Sequence, residues 1–186
     1  MDLSIVTLKK IKDAVEHILH VPGNFRRGIL EMTVVVDKNL SAESVKDILP
    51  QVIKALKMHS EVFKNVRFNF VSWEQSKIEN RCCPMQMVMT SGFYNDYEQK
   101  IEQKKLEDLI LYLKEFQARA KLILFFTDGT YQIEDPKTLK QKMQPFLGKK
   151  LLCMLLGENL EVFIGDALCG SSGTYVPDEP QINFCE

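Results

Sequence analysis

Leu122-Ile123-Leu124-Phe125-Phe126 is apolar at five consecutive positions. A strand sends successive side chains to opposite faces, so such a run has to be covered on both. Val34-Val35-Val36 repeats the pattern at the end of a β-branched stretch, Ile29 to Val36. Between these runs lie helical patterns. Ser41 can cap a helix with Glu43 in its first turn. Val45, Ile48, Leu49, Val52, Ile53 and Leu56 then form one apolar stripe. Pro50 lies inside that stripe and predicts a kink or a restart.

The remaining chain keeps the alternation. Leu8, Ile11, Val15, Ile18 and Leu19 recur at helical spacing over residues 4–20, and Val21-Pro22-Gly23-Asn24 ends that helix. Val66 to Trp73 reads as a second strand, and Met85 to Met89 as a weaker third, a candidate antiparallel edge. Thr90-Ser91-Gly92 is a loop. Asp96 to Gln117 reads as one long helix with Leu106, Leu109, Ile110, Leu113 and Phe116 facing inward. Asp135-Pro136 opens another helix, since proline suits a first turn. Leu151 to Leu156 is a last core strand. Residues 174–186 read as an extended tail, with Ile182 and Phe184 able to tack it onto the body. The expectation is an α/β chain, residues 1–186 forming one domain, with a central, mostly parallel sheet and helices on both faces.

Composition narrows the function classes. The chain has 186 residues, enough for one proper core. Its formal net charge is -1, with no basic excess of the kind that binds nucleic acid. Lys9-Lys10, Arg26-Arg27, Lys104-Lys105 and Lys149-Lys150 read as solvated faces. No segment approaches the ~20 apolar residues that span a bilayer, and Met1-Asp2-Leu3-Ser4 does not start a signal peptide. A cytoplasmic location, away from membranes, is expected. The five cysteines (Cys82, Cys83, Cys153, Cys169 and Cys185) are an odd number and argue against a disulfide framework.

Both apolar runs deliver an acidic residue at their carboxyl end, the edge where open α/β sheets bind ligands. The first is followed by Asp37-Lys38-Asn39-Leu40-Ser41, the second by Thr127-Asp128-Gly129. Carboxylates, an amide and hydroxyls there could hold a hard divalent cation. These two motifs resemble the von Willebrand factor A family, over about Ile29 to Gly157. That family places Asp-x-Ser-x-Ser after its first strand, a threonine on a middle loop and Asp-Gly after a later strand. The resemblance implies a three-layer α/β/α sandwich, Rossmann-like, with a metal-ion-dependent adhesion site for Mg²⁺ or Mn²⁺. Asp37, Asn39, Ser41 and Asp128 would ligate the ion, with Thr90 or Ser91 as the fifth contributor. Asn39 stands where the family has serine. An acidic side chain of a protein partner would complete the site, and the chain would be an interaction module in a multiprotein assembly rather than an enzyme.

Two other readings compete. Asp37 and Ser41 could simply cap the following helix while Asp128-Gly129 turns the chain, leaving a metal-free structural subunit. Alternatively, Asp37, Thr127, Lys149 and Asp166 resemble the series of a haloacid dehalogenase phosphatase with Asp37 as nucleophile. Asn39 then stands where that chemistry needs a general acid. Other chemistries have less support. His17, His20 and His59 do not make a zinc site, and Cys82-Cys83 lacks finger spacing. Gly170-Ser171-Ser172-Gly173 lacks the lysine and helix of a phosphate loop. No Gly-x-Ser-x-Gly elbow is present. Phe93-Tyr94-Asn95-Asp96-Tyr97 could contact a partner or anchor the long helix.

Overall fold

The first apolar run becomes β1 (Leu30–Asp37), which pairs on both sides with parallel neighbours, β2 (Val66–Trp73) and β4 (Ala120–Thr127). The computed structural model describes residues 30–57, 66–75, 77–84, 87, 92–114, 120–143, 151–155 and 181–184, with positions 5, 6, 8, 9 and 13. β5 (Leu151–Leu155) extends the parallel set beyond β4. Each outer edge is an antiparallel strand: β3 (Ile78–Pro84) on β2 and β6 (Gln181–Phe184) on β5. The strand order is β3-β2-β1-β4-β5-β6. This is a mixed α/β fold on an open, mostly parallel sheet.

The doubly apolar runs explain the packing. Val35, Val71, Trp73, Ile123 and Phe125 share one core cluster with Leu106, Leu109, Ile110 and Leu113 of the helix α3 (Leu106–Leu113). The alternate residues Val36 and Phe126 meet Val45, Ile48 and Leu49 of α1 (Ala42–Lys57). Ser41 caps α1 through a bond from the Ser44 N–H to its Oγ, 3.1 Å. Pro50 lies within α1, which continues through it as one helix rather than restarting. A short turn, α2 (Gly92–Asn95), precedes α3, and α4 (Pro136–Met143) follows β4. Asp135 caps α4, accepting from the Lys137 N–H at 3.1 Å.

Of the expected strand Met85–Met89, only Met87 is among the described residues, and it is not in a strand. The antiparallel edge on β2 is Ile78–Pro84. Its Glu79, Asn80 and Arg81 give no apolar signal, because an edge strand is held mainly by backbone bonds to β2. The helix expected from Asp96 is corrected at its start: residues 96–105 form an irregular strap, and α3 begins at Leu106. Glu98 to Lys105 has one apolar residue, Ile101, and so no stripe to bury. The β1 end captures the strap instead, with the Lys100 N–H donating to the Lys38 carbonyl at 2.7 Å.

Ile182 and Phe184 lie in β6, opposite Met154 and Leu152. Positions 5, 6, 8, 9 and 13 are helical, and the rest of the 4–20 helix lies outside the described residues. Leu109→Ala should destabilise the fold by about 2–5 kcal/mol. Leu111→Ala, on the same helix but 63% exposed, should stay within about 0.5 kcal/mol. Urea unfolding of the two variants checks the contrast.

Candidate site at the carboxyl edge of the sheet

Asp37 ends β1 facing the α3 side of the sheet and is fully buried. One carboxylate oxygen, Oδ1, accepts the Asn39 N–H at 3.0 Å and is ion-paired with the Lys104 ammonium. The other, Oδ2, accepts the Thr127 hydroxyl at 2.8 Å, across from the end of β4. Lys104 also donates to Asn39 Oδ1 at 3.0 Å and to the Trp73 carbonyl at 3.3 Å. Its Nζ sits 4.7 Å from the centre of the Trp73 ring, within cation–π range. The ends of β1 and β2 thus meet at one ammonium just before α3, and Asp37 links them to the end of β4.

Asn39 is the second organiser. Its Oδ1 accepts the Glu102 N–H at 3.1 Å and its Nδ2 donates to the Glu102 carbonyl at 3.0 Å. The side-chain amide pairs with the strap as a peptide unit in a ladder would. Nδ2 also donates to Thr130 Oγ1 at 2.7 Å. Gln99 Nε2 holds the Asn39 carbonyl at 2.7 Å, and the Gln75 N–H donates to Glu102 at 2.7 Å. The Tyr97 hydroxyl donates to the Leu40 carbonyl at 2.8 Å and reaches the Asp37 carbonyl at 3.2 Å. Burial, then the charges of Asp37 and Asp128, push that phenol far above its usual range. Lys38 lies over the Tyr97 ring, and burial lowers its ammonium pKa.

The expected ligands are therefore placed unequally. Asp37 and Asn39 share the cage. Ser41 spends its Oγ on the α1 cap and on Ser44 Oγ at 2.8 Å. Asp128 Oδ1 accepts the N–H and hydroxyl of Thr130 at 2.9 and 2.6 Å. Gly129 completes this turn with φ 79°, in the left-handed region that glycine enters without strain. Thr90 and Ser91 lie outside the described residues, as do the three histidines, Lys149 and Asp166. Among the described residues, no group of three or more His, Cys, Asp or Glu side chains is placed to hold a metal. A divalent ion in the Asp37–Asn39 cage would meet the Lys104 charge directly.

Lys104, read from the sequence as part of a solvated face, is 2% exposed, whereas Lys105 is exposed and paired with Glu134. No local signal separates the two lysines, which stand side by side just before the apolar stripe that starts at Leu106. Thr130 and Tyr97 were likewise not singled out as site residues. Cys82 is a free, exposed thiol; Cys83 is free and half-buried, and burial raises its pKa. The chain matches no protein-family model and no curated protein sequence.

Lys104→Ala leaves a buried carboxylate without its counter-charge and should destabilise the fold by about 3–5 kcal/mol. Replacing the pair together, as Lys104→Met with Asp37→Leu, should recover most of that loss in chemical denaturation. Asp37 also has a pH signature. Burial raises its pKa above the ordinary carboxylate value, opposed by Lys104 and by the Asn39 and Thr127 hydrogen bonds. The folded state then binds more protons between the unfolded and folded pKa values. This group's stabilising share is complete below the unfolded value and is lost as pH rises through the folded one. Carboxyl-carbon NMR should find Asp37 titrating above the usual range; titration at or below that range would contradict the assignment.

Proposed function

We propose that this chain is an intracellular protein-interaction module, built as a three-layer α/β/α domain resembling the von Willebrand factor A fold and working without turnover. The observation that carries this reading is the complete engagement of Asp37. Its side chain is buried, and both carboxylate oxygens are occupied by the chain's own donors. A nucleophile of a phosphatase needs an open face toward its substrate. The rim offers binding groups instead: the strap carries Ile101 at 82% exposure, between Lys100 and Glu102.

Further support comes from the placement of acidic residues after two neighbouring strands, β1 and β4. In the adhesion-type form of this reading, Mg²⁺ or Mn²⁺ and a partner's acidic side chain would bind at the rim, and Lys104 would first have to leave the cage.

The test compares wild type with Ile101→Glu and with Lys137→Glu, a control on the exposed side of α4, by affinity capture from the native source. A captured protein should be lost with Ile101→Glu and kept with Lys137→Glu, with both variants unfolding at the wild-type temperature. Aryl phosphate hydrolysis in Mg²⁺ that disappears in Asp37→Asn would replace this reading with the phosphatase one.

A further inference from the structure

Three oxygens at the end of the sheet converge on one point: Asp37 Oδ1, Asn39 Oδ1 and the Trp73 carbonyl. That point is Lys104 Nζ. An ammonium has three N–H donors, and here each has an oxygen acceptor. Its side chain is fully buried, as is that of Asp37. We infer that Lys104 is a tethered cation that takes the place of a divalent ion in the strand-end oxygen cage, so that the rim is assembled without metal. The inference rests on reading this edge as the binding rim and names what holds it together.

The charge balance favours an ammonium. Among the described residues, Asp37 is the one carboxylate paired with the Lys104 ammonium, and Asp128 Oδ1 accepts from Thr130 instead. One negative charge and one ammonium sum to zero. A divalent ion added beside Lys104 would leave a buried excess of two positive charges, which a low-dielectric site penalises heavily. Asn39 Oδ1 and the Trp73 carbonyl stand 3.0 and 3.3 Å from Nζ, within reach of an N–H donor. Removing the ammonium reverses the preference. A carboxylate, an amide oxygen and a carbonyl would then surround a space with no cation, a hard-oxygen set suited to Mg²⁺ or Mn²⁺.

The experiment titrates Mn²⁺ into wild type, Lys104→Ser and Lys104→Ser/Asp37→Asn at constant ionic strength. Electron paramagnetic resonance reads free Mn²⁺, and thermal unfolding in Mn²⁺ or EDTA reads its linkage to folding. Wild type should leave Mn²⁺ free and unfold at one temperature in both solutions. Lys104→Ser should unfold lower in EDTA, gain a saturable site and recover several degrees in Mn²⁺; the double variant should gain neither. If Lys104→Ser folds only in Mn²⁺, the inference is equally supported. It is overturned if wild type binds Mn²⁺ saturably through Asp37, if folded Lys104→Ser binds none, or if Lys104→Ser folds in neither solution. Loss of the partner reading through Ile101→Glu would leave the Mn²⁺ result unchanged, so the two fail separately.

Discussion

The Lys104 ammonium holds together segments that are far apart in the chain. It bonds to residues at the ends of β1 and β2, and through Asp37 it reaches the Thr127 hydroxyl at the end of β4. A buried ion pair is weak support for stability on average, because desolvation offsets the attraction. Its value here is positional. The Lys104–Asp37 pair is satisfied only when the ends of β1, β2 and β4 and the approach to α3 are in register, so a misaligned edge leaves a buried charge exposed to its own desolvation cost.

Asn39 then converts that anchored edge into a surface. With its amide bonded to both backbone groups of Glu102, the strap from Tyr97 to Lys104 is pinned across the carboxyl edge. A segment without helical bonds needs other partners for its backbone, and the strap finds them at Lys38, Asn39 and Gln132. Its exposed residues are presented by an ordered backbone, which lowers the ordering cost of any association at this rim.

The core strands were legible because their signal is local. Five consecutive apolar residues in β4 permit few alternatives, and β2 was located at both ends from alternation alone. The cap of α1 by Ser41 followed from a side chain bonding its own first turn. The strap and the edge strand β3 were not legible, because both depend on partners distant in sequence. Lys104 bonds to residues 65 and 67 positions away, and nothing in Gln103-Lys104-Lys105 distinguishes the buried lysine from the exposed one. Asp37 and Asn39, read from the sequence as metal ligands, lie together around one ammonium, a group hidden in what looked like a polar helix face.

The strap's attachments have a mechanical consequence. Ile101 sits between two backbone tethers, Lys100 to Lys38 and Glu102 to Asn39, and both lead into the turn that leaves β1. β1 is flanked by parallel neighbours on both sides. A tug applied at the rim is therefore carried into the best-braced strand of the sheet and shared sideways with β2 and β4, so that traction on the exposed isoleucine is borne by the core rather than by the loop that displays it.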